Sequence, residues 1–131
     1  FSTFGPDTLK EVRAAATRVG AADTAKHFLD MHDLGDMLVA AGFGDPVMDM
    51  EMITLTYPGP RAFLADQRHL GVRDGLLGRQ GWRDWRRIFG AWCRDAEGRL
   101  PASFEIVFGH AWKPEPRQIA DGRSVIRFQS R

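Results

Sequence analysis

The chain has a single cysteine, Cys93, among its 131 residues. No disulfide can close within it, and its own thiols cannot assemble a zinc site. Also absent is an apolar run approaching the roughly 20 residues that a membrane-crossing helix needs. Phe1-Ser2-Thr3-Phe4 opens the chain without a charged leader ahead of an apolar stretch. A cytoplasmic protein with no membrane partner is the expectation. Net charge is only +1, too little for the electrostatic footprint of a nucleic-acid binder, so no nucleic-acid partner is expected. His27 and His32 are five residues apart, His69 and His110 stand alone, and no metal site is expected from that spacing. Glycines at Gly5, Gly42, Gly44 and between Gly71 and Gly78 never follow the order strand, G-x-G-x-G, helix. That order lets bare backbone approach a nucleoside cofactor, so no cofactor site is expected within these residues.

What is present reads as one globular domain, with 44% hydrophobic and 27% charged residues. Phe1 to Phe4 has the apolar, β-favouring character of a strand end, broken by Gly5-Pro6, and predicts that the chain is a piece of a longer one. Asp7 and Thr8 offer capping oxygens with Glu11 in capping-box position, followed by Leu9, Val12, Ala16 and Val19 at helical spacing. A second helix is expected from Asp33, with Leu34, Met37, Leu38 and Ala41 on one face and Gly42 as its stop. Val47 to Tyr57 alternates, placing Met48, Met50 and Met52 opposite Asp49 and Glu51, which predicts a strand.

Pro58 to Gly71 predicts a helix with Pro60 in its first turn and Phe63, Leu64 and Leu70 buried. Gly71 to Gly81 predicts a mobile loop. From Gly81 to Arg94, Trp82, Trp85, Phe89 and Trp92 form a stripe expected in the core. A last strand is expected between Pro101 and Pro114, with Phe104, Ile106, Phe108, His110 and Trp112 alternating with Ser103, Glu105, Val107, Gly109 and Ala111. Residues 115–131 predict a flexible tail. Strands separated by helices imply an α/β fold with a small mixed sheet. Between Arg61 and Arg99 stand nine arginines against five acids, a local excess suited to an acidic partner or to a solvated face.

FSTFGPDTLKEVR (Phe1 to Arg13), MHDLGDMLVAAGFGDPVMDMEMITLTYP (Met31 to Pro58) and LPASFEIVFGHAWKP (Leu100 to Pro114) together resemble the malonyl-acyl-carrier-protein O-methyltransferases of biotin synthesis. The resemblance implies the C-terminal half of a Rossmann-like class I methyltransferase fold over residues 1–114. It implies a mixed sheet with an antiparallel last strand and, at 58–99, a helical insertion forming a substrate lid. S-adenosylmethionine would be the cofactor of the parent enzyme, and malonyl-acyl carrier protein or malonyl-CoA its partner. These residues alone would then be inactive. The chain also resembles methyltransferase-like assembly or hydroxylase factors of respiratory complex I, which implies protein binding as the alternative role.

Methylating a malonyl carboxylate needs no general base, because the acid is already ionised at neutral pH. A planar guanidinium can orient it bidentately. The resemblance makes Arg68 the first candidate clamp, with Tyr57 and Thr3 at strand ends as further substrate-binding candidates. Arg83, Arg86 and Arg87 are candidates for docking the carrier protein. With part of the sheet absent, self-association through an exposed sheet edge is expected.

Overall fold

A computed structural model describes residues 1–21, 27–72, 77 and 81–115 of the chain. Its elements are β1 (Ser2–Phe4), α1 (Lys10–Arg18), α2 (Met31–Ala40), β2 (Gly44–Tyr57), α3 (Pro60–His69), α4 (Trp82–Ala91) and β3 (Leu100–Trp112). The expected tail, apart from Glu115, and most of the expected 71–81 loop lie outside the described residues; Leu77, within that loop, is buried.

The sheet has the order β1-β3-β2. Both neighbouring pairs are antiparallel, so β1 and β2 run the same way with the last strand between them. That central strand is the expected antiparallel one. It begins earlier than its prolines suggest, since Pro101 lies inside β3 opposite Thr56. Proline has no N–H for the ladder, and the Thr56 carbonyl instead accepts from Arg99 Nη2 at 2.7 Å.

Burial along β3 cuts across the hydrophobic alternation: Phe104 is buried, but so are its polar neighbours. Ser103, Glu105 and Val107 are buried, whereas Phe108 is 43% and Trp112 65% exposed. The reason lies in the turn before α1. Thr8 and Glu11 do not form the expected capping box; Leu9 occupies the N-cap with φ 57° and no side chain caps the helix. Glu11 instead accepts from Ser103 N at 3.0 Å and from Ser103 Oγ at 2.6 Å. The Thr8 hydroxyl accepts from Glu105 N at 3.1 Å, and Leu9 N donates to Ser103 O at 2.6 Å. Past the end of β1, the segment Gly5 to Glu11 thus serves the free edge of β3 with side chains and single amides in place of a strand. Each buried backbone group of β3 there keeps a partner, which is why polar residues can sit so deep.

Aromatic rings join the helices to the sheet. Phe63 of α3 meets Tyr57 and Trp92 edge-on at 5.3 and 5.1 Å, and Phe89 stacks between Trp85 and Trp92. Trp92 Nε1 donates to Pro101 O at 3.0 Å, satisfying the one polar atom of that ring. Two expected core residues are elsewhere: Leu70 is exposed, and Trp82 is 74% exposed. Ile88 takes the buried position on α4 instead, since residues 85, 88 and 92 follow the inward stripe of the helix.

Helix α2 packs on β2, where a Cβ added at Gly35 would meet the Met48 side chain at 3.5 Å, yet it buries none of its residues. Its expected start shifts to Asp30, whose carboxylate accepts from His32 N at 2.8 Å, and Gly42 stops it at φ 82°. Met37 and Val39 of α2, and Ile53 and Leu55 of β2, remain exposed.

Candidate functional site

Where β2 runs into α3, the chain reads Tyr57-Pro58-Gly59-Pro60, and this corner forms one wall of a pocket of about 580 Å³. Proline supplies the first helical position of α3, where a missing N–H costs nothing. The other wall is α4, which contributes Trp82, Arg86 and Phe89, four and three residues apart on one face. Ala62 and Leu64 of α3 close it further, and Arg61 stands with Arg86 in its lining. The walls are apolar and aromatic, and the polar groups are two guanidinia. Neither makes an ion pair or hydrogen bond among the described residues.

The sequence-derived candidates distribute unevenly around this feature. Arg86 lines the pocket, and Arg83, also exposed, lies three residues before it on α4. Arg87 is differently employed: its Nη2 donates to the Val19 carbonyl and its Nη1 lies 3.6 Å from Asp84, so it fastens α4 to the end of α1. Arg68 is exposed on the last turn of α3, with no ion pair among the described residues.

Tyr57 is buried beside the pocket corner, and its hydroxyl donates to Asp66 Oδ2 at 2.6 Å. Burial, and then the Asp66 hydrogen bond, push its phenol well above the ordinary range. Thr3 is not brought to Tyr57. It pairs with Val107 while Tyr57 pairs with Leu100, seven positions along β3 or roughly 23 Å at the usual strand rise, and alternation turns the two side chains to opposite faces.

Sequence reasoning missed Arg61 and the pocket itself. The signal was available in the Pro58-Gly59-Pro60 corner, which splays α3 from the strand, and in Trp82, which begins the aromatic stripe before the helix has turned inward.

The strand-to-helix turns among the described residues offer no glycine cradle of the kind that lets backbone approach a nucleoside. Two glycines stand between a strand and a helix. The space a Cβ would fill at Gly5 is taken by the buried Glu105 carboxyl, which accepts from Asp7 N at 2.7 Å. Gly59 is open, but prolines flank it and offer no amide hydrogens. Among the described residues no group of three or more His, Cys, Asp or Glu is gathered to hold a metal ion, and no helix is long and apolar enough to cross a membrane.

No family model matches the chain. Curated proteins do. It is 47% identical over 134 residues to a malonyl-[acyl-carrier protein] O-methyltransferase of Gallionella capsiferriformans, covering 97% of this chain and 46% of that protein. Proteins of the same name from Laribacter hongkongensis and a Methylovorus species are 46% and 42% identical, covering 98% and 100% of this chain and 46% of each relative. The chain is homologous to these methyltransferases along nearly all its length, and it spans about half of theirs.

Proposed function

We propose, from this kinship with the malonyl-[acyl-carrier protein] O-methyltransferases, that the chain is the acceptor-side portion of an enzyme that methylates the free carboxylate of a malonyl thioester on its carrier protein. The identity of 42 to 47% across nearly the whole chain is the observation that carries the reading. S-adenosylmethionine would supply an electrophilic methyl group, and because Gly5 and Gly59 form no cradle, it would be held by parts of the protein outside this chain. The setting would be the cytoplasm and the pathway biotin synthesis.

The role left to these residues is to recognise and orient the acceptor. A carboxylate needs no base, so acceptor-side catalysis rests on alignment and on a cation that fixes the anion. Arg68 is exposed and unpaired among the described residues, as a clamp waiting for a carboxylate must be. Tyr57 is less free to act on substrate, since its hydroxyl is committed to Asp66; Thr3, on the far part of the sheet, would serve a separate contact. Arg83 and Arg86 project from α4 without a carboxylate partner and fit an acidic carrier, whereas Arg87 contributes mainly to the fold.

The test is methyl transfer by the intact protein from labelled S-adenosylmethionine to malonyl-acyl carrier protein and to malonyl-CoA. Arg68→Ala is expected to lower kcat/KM on both acceptors by about tenfold or more, because a carboxylate clamp does not sense the carrier. Arg83→Glu with Arg86→Glu is expected to harm the carrier-bound acceptor selectively, with the loss shrinking as salt rises. Absence of transfer to either acceptor by the wild-type protein defeats the reading.

A further inference from the structure

The pocket between α3 and α4 has a composition that its position alone does not explain. Its walls are Pro58, Pro60, Ala62, Leu64, Trp82 and Phe89, and its volume of about 580 Å³ lies within the span of ligand-sized pockets. Trp82, one of these walls, is 74% exposed, a large apolar surface that the described residues leave uncovered. Arg61 and Arg86 line the same pocket, and Arg83 stands nearby on α4. No carboxylate among the described residues answers these three, although Asp84 is taken by Arg87 on the same helix.

An apolar hollow lined by two guanidinia that have no partner among the described residues fits a particular visitor. A polar, amide-bearing acyl arm would find almost no hydrogen-bond partners on these walls, and desolvating its amides there is unfavourable. An apolar side chain loses nothing by entering, and carboxylates beside it would meet the arginines. Buried apolar anchors surrounded by a charged rim are also how protein interfaces concentrate their affinity.

We infer that this pocket is the anchor point for the carrier protein itself: it receives an apolar side chain projecting from an acidic segment of that partner, while Arg61, Arg83 and Arg86 pair with the acids around it. The inference deepens the acceptor reading above and rests on it for the identity of the partner. It assigns recognition to the carrier's surface rather than to the malonyl group.

The experiment uses the intact protein and an acyl carrier protein stripped of its prosthetic arm, so that no thioester is present. Binding is measured by calorimetry at about 0.05 M and about 0.5 M salt, where screening lengths differ severalfold. The wild-type protein is expected to bind the armless carrier. Ala62→Phe, which fills the pocket, is expected to weaken binding by about tenfold or more at both salt concentrations. Arg61→Glu with Arg86→Glu is expected to weaken it strongly at low salt and much less at high salt. Unfolding midpoints monitor the fold, and Ala62→Val serves as the gentler filling variant if Ala62→Phe unfolds.

Binding that requires the malonyl arm, or that ignores both filling variants, overturns the inference, as does failure of the wild-type protein to bind the armless carrier. The methyl-transfer assay is separate. Transfer by the wild-type protein with pocket-independent carrier binding removes this inference alone; pocket-dependent binding without transfer removes the methyltransferase reading alone.

Discussion

Glu11 grips Ser103 twice, through the backbone N–H at 3.0 Å and the hydroxyl at 2.6 Å, across 92 residues of chain. The contact substitutes for ladder hydrogen bonds where β3 has run past the end of β1. Glu11→Ala leaves the buried Ser103 amide without a partner and is expected to cost about 1–3 kcal/mol of stability. Glu11→Gln keeps one acceptor oxygen and is expected to lose less. Denaturant unfolding of the intact protein measures both; a Glu11→Ala midpoint equal to wild type refutes the surrogate-strand description.

Tyr57 is this chain's one tyrosine, and its phenol is raised by burial and by Asp66. Because the folded value lies above the unfolded one near 10, the stability it contributes is complete below that unfolded value and is lost as pH rises through the folded one. The difference in tyrosinate absorbance between the intact protein and its Tyr57→Phe variant is therefore expected to stay near zero at about pH 10.5, where a free tyrosine is largely ionised. Asp66→Asn is expected to bring the ionisation to lower pH. A full tyrosinate signal in the wild-type protein at that pH contradicts the buried hydrogen bond.

Asp30 titrates in the opposite sense. The His32 amide hydrogen bond, and then the His32 ring, hold its carboxyl below the usual range. Its contribution is present above the unfolded value near 3.9 and is lost as pH falls through the folded one. Fraying of the first turn of α2 is expected in acid, and Asp30→Ala is expected to produce the same fraying at neutral pH. Hydrogen exchange at the His32 amide reads it directly, and unchanged protection in Asp30→Ala counts against the cap.

Arg83 and Arg87 are expected to behave differently although both are exposed arginines on α4. Arg87→Ala removes the bond to the Val19 carbonyl and should cost about 0.5–1.5 kcal/mol. Arg83→Ala touches no described partner and should change stability by less than about 0.5 kcal/mol. Thermal unfolding compares them; equal shifts argue against Arg87 as the fastener between α4 and α1.

Strand and helix types were legible because alternation in Val47 to Tyr57 and helical spacing in Val12 to Val19 are local properties of the chain. What the local pattern could not reveal is which neighbour claims a side chain. Thr8 and Glu11 are spaced as a capping box, but β3 competes for them and has unfilled amides to offer. The same strand explains why Ser103 and Glu105 are buried against the hydrophobic alternation. On α4 the spacing of the tryptophans marked an apolar stripe, but the inward direction is set by contacts with Phe63 and Pro101, and Trp82 falls outside it. Arg87 looked identical to Arg83 because the Val19 carbonyl it reaches lies 68 residues away. The pocket escaped notice for a related reason: it needs the Pro58-Gly59-Pro60 corner and α4 at once.

The strand order β1-β3-β2 also has a bearing on biosynthesis. β1 and β2 are not neighbours; among the described residues, the one strand that each pairs with is β3. During translation the ribosome delivers β1 and β2 first, and neither can be paired within this sheet until Leu100–Trp112 has cleared the exit tunnel. For that interval, Met50, Met52, Ile53 and Leu55 lie on an unpaired nascent segment with strong β character, the kind of surface that holding chaperones bind. β3 is the strand that completes this three-stranded sheet, so a ribosome pause anywhere between the emergence of Tyr57 and that of Trp112 would prolong the exposure of β2.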